Sequence, residues 1–256
     1  MLTTIHDKKP LIHHLTNAVT INECANMTLA LGGSRVMAED ILEVEEMVGH
    51  ADAVVINIGT LNAASRASQL LAGQTANRLK KPIILDPVGM GATTLRTQFT
   101  KELLEAIHFT VIKGNVSEIK TLIGQVGRSK GVDVASGETL DFQVVHEFAG
   151  RLGTTLVVTG PVDFITDGKR QVKLTVGTPR LGHITGTGCM TASLIGTLLG
   201  AGYDAFEAAT YGTYLMGKAG EVADEAAGLG DFRMGLFNAI SLTTEESLKG
   251  VLTSGE

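Results

Sequence analysis

The sequence predicts an α/β protein with a mostly parallel central sheet and helices on both of its faces. Short continuous runs of apolar and β-branched residues alternate with segments of helical periodicity. This is the pattern of buried parallel strands joined by right-handed crossover helices. Glycine contributes 31 of the 256 residues, roughly 12% against an average of about 7%. Because hydrophobic residues make up 44% of the chain, these glycines indicate tight turns at strand ends rather than disorder.

The individual elements can be placed in order along the chain. A first helix is predicted through Leu31, because Gly32 follows it as a stop signal. Thr20 and Glu23 have the spacing of a capping box at the start of this helix. Strands are expected at 53–57, 82–85, 109–112 and 155–158, and helices near 39–50, 62–80, 97–108, 116–124 and 140–152. An Asp-Gly turn within 164–174 predicts a hairpin at the edge of the sheet. The remainder is predicted to be mostly helical, and a single domain over 1–256 is the economical interpretation.

One segment, 184–203, contains twenty residues without a charge, which is the length of a membrane span. Its many glycines and threonines make it a poor span, and we predict a buried helix instead. Gly196 and Gly200, four residues apart, are expected to let another element approach this helix closely.

Composition excludes several classes of function. The net charge is −6, there is no Trp, and no basic cluster occurs, which argues against nucleic-acid binding. The first ten residues contain no apolar stretch of the kind found in signal peptides. Two cysteines, Cys24 and Cys189, are too few for a disulfide scaffold, so a cytoplasmic protein with reduced thiols is expected. The sequence has no P-loop, dinucleotide-binding or zinc-binding signature.

A Thr- and Gly-rich segment before Cys189 is the most informative part of the chain. It leads directly into an apolar helix, with Cys189 in the first turn. Gly186 and Gly188 lack side chains that would keep a ligand from the backbone, and the free N–H groups of a helix start attract anions. Gly186, Thr187 and Gly188 are therefore predicted to form an anion hole beside a thiol. This arrangement suggests phosphoryl transfer.

Other polar residues follow the predicted strands. Asp86, Lys113 and Thr159 each close or follow an apolar run, and ligands of open α/β sheets bind outside the carboxyl ends of the strands. The sequence therefore predicts one crevice at that edge. Lys113 is interpreted as a nucleotide-phosphate contact or as a surface lysine. Thr159 is interpreted as a hydroxyl donor to a phosphate or as a cap on the strand end.

Two carboxylates in this region suggest a metal. Asp86 and Glu118 would suit Mg²⁺, which takes a few carboxylates together with substrate phosphates. Asp86 could instead form an Asx turn, and Glu118 could complement a helix dipole. His13 and His14 are interpreted as loop or buried hydrogen-bonding residues rather than as metal ligands.

Four segments carry a family resemblance. Residues 10–17, 84–92, 112–118 and 184–189 resemble, in order, those of the hydroxyethylthiazole kinase family of the ribokinase-like superfamily. The resemblance implies a ribokinase-like fold and a homotrimeric enzyme of thiamine salvage. Such an enzyme transfers the γ-phosphoryl group of ATP to the primary hydroxyl of hydroxyethylthiazole, with Mg²⁺ as cofactor.

The same resemblance assigns roles to residues. It places Asp86 and Glu118 in the metal and phosphate region, and Lys113 and Thr159 in ATP binding. Cys189 falls where the superfamily has its catalytic base, and a helix N-terminus would lower the pKa of such a thiol. Asn17, Met37 and Gly186 match thiazole-binding positions.

Family trimers have their thiazole pockets between subunits, so Asn17 and Met37 could serve a neighbouring subunit's Cys189. From the residues alone, Asn17 also fits a helix cap, Met37 a core position and Cys189 a small buried helix residue.

Two departures from the family and two other functions stay open. Lys113 stands where Arg is common and lacks the bidentate fork of Arg, and Arg35 stands where Pro is usual. A ribokinase-like dehydratase that repairs hydrated nicotinamide cofactors would normally keep Asp in place of Cys189. A non-catalytic thiazole- or nucleotide-binding regulator is the other alternative, against which the retained Asp86 and Glu118 argue.

Overall fold

The computed structural model describes residues 2–128 and 140–252. It contains an eight-stranded sheet with the order β2-β1-β3-β4-β5-β6-β7-β8. The strands are β1 Leu11–Leu15, β2 Ser34–Val36, β3 Ala53–Asn57, β4 Ile83–Asp86, β5 Val111–Asn115, β6 Thr155–Thr159, β7 Asp163–Thr166 and β8 Gln171–Leu174. The first six pair in parallel, and β6-β7-β8 pair antiparallel. This confirms the predicted fold class, including the edge hairpin.

Ten α-helices lie within the described residues: α1 Leu2–Lys8, α2 Ile21–Ala30, α3 Val44–His50, α4 Ala63–Arg78, α5 Thr94–Ala106, α6 Val116–Arg128, α7 Phe142–Leu152, α8 Thr187–Ala201, α9 Ala205–Ala223 and α10 Leu229–Ser241. A 3₁₀ turn over Pro179–His183 precedes α8, and another, Glu245–Leu248, follows α10. The predicted domain range of 1–256 also includes residues 1, 129–139 and 253–256, which lie outside the described ranges.

The core has two apolar clusters, one on each face of the sheet. In β3, Val55 belongs to the cluster that includes α8 and α9, whereas Val54 and Ile56 belong to the cluster with α4 and α5. This alternation follows from the two-residue period of a strand. Because every residue of β3 is buried, the strand reads as a continuous apolar run in the sequence.

Helix α8 packs directly on the sheet, as its small residues predict. A Cβ added at Gly196 would lie 2.7 Å from Val55 Cγ2, and one added at Gly200 would lie 2.7 Å from Ile12 Cδ1. The glycines therefore permit a helix–strand approach that a larger residue would block. Nowhere in residues 2–128 and 140–252 does a helix have the length and apolar character needed to cross a bilayer.

The N-terminal region differs from the prediction. Strands β1 and β2 were not predicted, because His13 and His14 interrupt the apolar run that would have indicated β1. Both imidazoles are fully buried. His13 Nε2 lies 2.7 Å from the carbonyl oxygen of Ala38, and His14 Nε2 lies 3.1 Å from Thr28 Oγ1, so both are buried hydrogen-bonding residues.

The predicted capping box at α2 is wrong. The side chain of Thr20 makes no capping hydrogen bond. Instead, Asn17 Oδ1 accepts hydrogen bonds of 3.1 Å from the backbone N–H groups of Val19 and Thr20. Asn17 thus orders the turn between β1 and α2, as an Asx residue does.

Candidate active site

Parallel pairing brings the ends of the central strands to one edge of the sheet. Asn57 at the end of β3 pairs in register with Asp86 at the end of β4. Farther along, Asn115 on β5 pairs with Thr159 on β6. The loop after β1 brings Asn17 to the same edge. The crevice expected outside the carboxyl ends of the strands is therefore present.

Cys189 lies in this crevice, in the first turn of α8. Its side chain is 8% exposed. Asn17 Nδ2 and Asn57 Nδ2 each donate a hydrogen bond to Cys189 Sγ over 3.3 Å. Asn57 Nδ2 also donates to Asp86 Oδ2 over 2.8 Å. One amide group thus connects the thiol at the glycine-rich loop to the carboxylate at the end of β4.

Asp86 forms a buried ion pair with Lys113. Lys113 Nζ lies 3.6 Å from Asp86 Oδ1, and the two side chains are 4% and 1% exposed. Burial alone would lower the pKa of Lys113, but the attraction of Asp86, supported by Cys189 and Glu118, raises it. The ammonium group therefore stays charged, and the surface-lysine interpretation is wrong. The carboxylate is held by Asn57 and Lys113 across the crevice, so an Asx turn does not describe it.

Glu118 organises the loops beside this pair. Its Oε1 accepts a 2.7 Å hydrogen bond from Gly89 N–H, and its Oε2 accepts one of 2.8 Å from Asn115 N–H. Asn115 Oδ1 in turn accepts a hydrogen bond of 2.9 Å from Glu118 N–H, which is reciprocal capping at the start of α6. Glu118 therefore lies in the first turn of α6, where the helix-dipole alternative placed it, and it also caps the helix.

Two carboxylates of the crevice, Asp86 and Glu118, could contribute to a metal site. Within the described ranges, no group of three or more His, Cys, Asp and Glu side chains could hold a metal ion. Asp86 and Glu118 can supply two carboxylates, and each Glu118 oxygen keeps acceptor capacity beyond its one backbone bond. This set is compatible with Mg²⁺, which usually retains waters and takes phosphate oxygens.

Gly186, before Cys189, is required by the fold itself, whereas Gly188 lies close to a lysine side chain. Gly186 has a φ of 93°, and an added Cβ would lie 2.4 Å from Thr20 Cγ2. An added Cβ at Gly188 would lie 3.1 Å from Lys113 Nζ. The lysine ammonium group therefore lies directly beneath the start of α8, so two sources of positive potential meet at the predicted anion hole.

A cleft of about 550 Å³ opens beside the anion hole. Thr159, Gly160, Thr187 and Gly188 are among its lining residues. Thr159 Oγ1 donates a hydrogen bond of 3.4 Å to the carbonyl oxygen of Gly114, so its hydroxyl caps the strand end. Asp163 also lines the cleft, and burial raises its pKa to about 6 against the opposing hydrogen bond from Gly160 N–H. Sequence reasoning did not single out Asp163.

Two predicted substrate residues lie on the β1–β2 side of the crevice. Met37 directly follows β2, the edge strand, and is half-buried. Arg35, one of the departures from the family pattern, is exposed on the same strand. Asn17 is buried and already contacts Cys189 within its own chain. Its contact with a thiol thus needs no neighbouring subunit, contrary to the expectation for Asn17.

The environment of Cys189 reverses the predicted direction of its pKa. Burial, followed by the charge of Asp86, raises the pKa of Cys189 above its ordinary value of 9.0. Hydrogen bonds from Thr20 and Asn17 and the charge of Lys113 oppose this rise without overcoming it. Cys189 is therefore predominantly a thiol at neutral pH, because burial and Asp86 outweigh the groups that favour its thiolate form.

Asn57 is a second residue of this edge that sequence reasoning missed. It is 1% exposed and contacts both Cys189 and Asp86. The available signal was the same one that indicated Asp86, namely a polar residue closing an apolar run at 53–57. An Asn at a strand end is also common in turns, so the sequence alone gave no reason to prefer a role in the site.

The strand order and the position of the crevice define a ribokinase-like fold. A ribokinase-like superfamily protein from Enterococcus faecalis aligns with a TM-score of 0.63 and 15% identity, covering 90% of this chain and 86% of that one. At this identity the similarity shows the fold alone.

The sequence comparisons define the family. The model of the hydroxyethylthiazole kinase family matches residues 2–246. A hydroxyethylthiazole kinase from Exiguobacterium sibiricum is 71% identical over 256 residues, covering the whole of both chains. The structure of the hydroxyethylthiazole kinase protein from Pyrococcus horikoshii OT3 aligns with a TM-score of 0.87 and 39% identity, covering 97% of this chain and 94% of that one. This chain belongs to the hydroxyethylthiazole kinase family.

Proposed function

We propose that this chain transfers the γ-phosphoryl group of ATP to the primary hydroxyl of 4-methyl-5-(2-hydroxyethyl)thiazole, a step of thiamine salvage. The observation that carries the proposal is the meeting of Cys189, the Asp86–Lys113 pair and the glycine-capped start of α8 at one edge of the sheet. These groups supply what phosphoryl transfer needs, which is mainly positioning and neutralisation of charge.

ATP would bind in the 550 Å³ cleft that Thr159 and Gly160 line. Its phosphates would then lie against the N–H groups of Gly186, Thr187 and Gly188, where a helix start favours anions. Lys113 supports this placement, because its ammonium group is close to Gly188 and its charge is retained. A lysine provides this charge without the bidentate geometry of an arginine.

Mg²⁺ is the cofactor that the donor set suits. Asp86 and Glu118 would hold it, directly or through water. When bound, the ion would neutralise charge on the phosphates. In the protein alone, Lys113 offsets the charge of Asp86 across the 3.6 Å pair. That pairing keeps a carboxylate in a buried site where an unpaired charge would be costly.

The alcohol would be oriented by Cys189. The hydroxyl oxygen of the alcohol forms a bond to the γ-phosphorus. The bond from that phosphorus to the β–γ bridging oxygen breaks at the same time, which releases ADP. The hydroxyl proton passes to the sulfur in its thiolate form. Because the transition state is loose, proton removal is needed late and contributes modestly.

The thiazole ring would lie on the β1–β2 side of the crevice, near Asn17, Met37 and Gly186. Met37 offers a soft, half-buried contact there. We infer a homotrimer in the cytoplasm, with Met37 on the edge strand available to a neighbouring subunit. Arg35 is exposed on this strand, so its charge is expected to affect assembly more than nucleotide binding.

The competing functions fit less well. A dehydratase of the same fold normally keeps Asp at the position of Cys189, and the family match over residues 2–246 disfavours it. The retained carboxylates Asp86 and Glu118, which binding alone does not require, argue against a non-catalytic regulator.

A coupled assay of ADP release tests the proposal. Hydroxyethylthiazole, hydroxymethylpyrimidine and pyridoxal would be offered separately with Mg²⁺ and ATP, and the product identified by mass spectrometry. We expect phosphorylation of the thiazole alcohol to dominate. ADP release that occurs with pyridoxal but not with the thiazole alcohol, or that needs no alcohol, would refute the proposed substrate. Light scattering of the intact protein tests the trimer.

A further inference from the structure

The side chain of Asn57 uses all of its hydrogen-bonding capacity at the centre of the site. Its Oδ1 accepts hydrogen bonds of 2.9 Å from Asn17 Nδ2 and from Gly59 N–H. Its Nδ2 donates to Asp86 Oδ2 over 2.8 Å and to Cys189 Sγ over 3.3 Å. A side-chain amide has two donor hydrogens and two acceptor lone pairs, so each of them is occupied.

These four partners determine the orientation of the amide. If the amide were flipped, its oxygen would face the carboxylate of Asp86 and its nitrogen would face the N–H group of Gly59. Both contacts would be repulsive. The oxygen side of Asn57 therefore holds the turns after β1 and β3, whereas the nitrogen side holds the reacting groups of the site.

The amide also determines what Cys189 can do. The sulfur accepts one hydrogen bond from Asn57 and one from Asn17, and the Thr20 hydroxyl also stabilises its negative charge. A sulfur held in this way is aligned as a proton acceptor, and donors of this kind stabilise negative charge on it. Asp86 is aligned by the same nitrogen, which leaves its other oxygen facing Lys113.

We propose that Asn57 is a positioning residue for phosphoryl transfer, which joins Cys189 to Asp86 through the two hydrogens of one amide. This inference rests on the proposed function for its consequence in turnover. The hydrogen-bonding arrangement itself can be tested independently.

The variant Asn57→Asp separates the two sides of the residue. A carboxylate of the same shape keeps the acceptors for Asn17 and Gly59, but it loses both donated hydrogen bonds and repels Asp86 and the thiolate form of Cys189. Turnover is expected to fall about 10²-fold, the scale of a lost preorganised donor. The KM for the alcohol is expected to change less than threefold, because Asn57 is 1% exposed and is not proposed to touch the substrate.

A second readout does not need kinase activity. The pH dependence of iodoacetamide labelling at Cys189, followed by peptide mass spectrometry, reports the pKa of this thiol. The charged groups that face it are Asp86 on β4 and Lys113 on β5, with hydrogen bonds from Thr20 and Asn17. A new negative charge in place of the Asn57 donor is expected to raise the labelling pKa by about one unit or more.

Asn77 supplies a matched control at the opposite end of the sheet. Its Nδ2 donates to the carbonyl oxygen of His108 over 2.8 Å, and its Oδ1 accepts from His108 N–H over 2.7 Å. Asn77→Asp thus also keeps an acceptor and loses a donor. Both variants are expected to lower Tm, but only Asn57→Asp should lower turnover and shift the thiol pKa.

The outcomes are distinct. A folded Asn57→Asp enzyme with turnover within threefold of wild type, or with an unshifted labelling pKa, would overturn the inference. An equal loss of turnover in Asn77→Asp would overturn it as well. If Asn57→Asp does not fold, Asn57→Ser replaces it as the test, because a single hydroxyl can donate a hydrogen bond to Asp86 or to Cys189 but not to both. Only turnover is then measured, and turnover within threefold of wild type would overturn the inference. Failure of wild type to phosphorylate the alcohol would refute the proposed function, whereas the labelling experiment would still decide the arrangement around Asn57.

Discussion

Replacement of Cys189 by aspartate tests the proposed path of the proton. The wild-type thiol is buried, and burial together with Asp86 raises its pKa above 9.0. A thiol with such a pKa is less than about 5% ionised at pH 7.5. If the sulfur must be ionised to accept the hydroxyl proton, only this small fraction of the enzyme is competent at neutral pH.

The size of the effect follows from that fraction. An aspartate at this position would be largely ionised, so the competent population rises by at least roughly 20-fold. A carboxylate is a weaker base than a thiolate, which removes part of the gain. Because the loose transition state depends only weakly on base strength, we expect kcat to be equal to wild type or as much as ~10-fold higher. Cys189→Ala should lower kcat by roughly 10²–10⁴, the range for loss of a general base.

The assay is coupled ADP release at saturating ATP and thiazole alcohol, measured from about pH 6 to pH 9.5. The wild-type kcat should rise with pH over this range, because the base must lose its proton to act. The Cys189→Asp variant should have a flatter profile at neutral pH. If product release limits steady-state turnover, the two pH profiles would look alike. Single-turnover rates are therefore measured as well.

Two results would refute the reasoning. Wild-type turnover in the Cys189→Ala variant would show that the sulfur neither orients the alcohol nor takes its proton. A wild-type profile that is already flat at neutral pH in single-turnover measurements would show that ionisation of Cys189 does not limit the reaction.

Three further predictions concern charge, backbone and acid stability. Lys113→Met leaves a buried carboxylate unpaired and should cost about 3–5 kcal/mol in urea unfolding while raising the KM for ATP; unchanged stability would contradict the ion pair. Gly186→Ala places a Cβ against Thr20 at a φ of 93° and should cost about 1–3 kcal/mol and lower kcat, whereas Gly49→Ala, an exposed position in α3 with nothing within 4 Å, should lower neither stability nor kcat. Burial lowers the pKa of His14 to about 3, so the unfolded chain binds this proton first. The contribution of His14 to stability should fall by about 1.4 kcal/mol per pH unit from about pH 6 down to about pH 3, so the loss of stability in acid should be less steep in His14→Asn.

The sequence was a good guide where one residue type has one strong structural preference. The apolar runs at 53–57 and 155–158 predict strands of a buried sheet. Gly196 and Gly200 predict that another element approaches α8 closely. The crevice followed from the same reasoning, because parallel strands end together. The same reasoning places Asp86 and Lys113 in the crevice.

It was a poor guide where a role depends on a neighbour distant in sequence. The capping role of Thr20 failed because Asn17, folded back from β1, orders that turn instead. Asn57 belongs to the site because β3 lies between β1 and β4 in the sheet, an order that local sequence does not show. The buried histidines of β1 hydrogen-bond to Ala38 and Thr28, contacts that no apolar pattern reveals.

The chain therefore determines by itself the fold class, the edge at which the crevice lies and most residues of that edge, since these depend on local periodicity and on the geometry of parallel strands. Only the tertiary structure decides the ionisation of Cys189, the burial of Lys113 and the pairing of Asn57. These properties depend on desolvation and on contacts across as many as 172 positions of the chain. Local sequence carries little information about either.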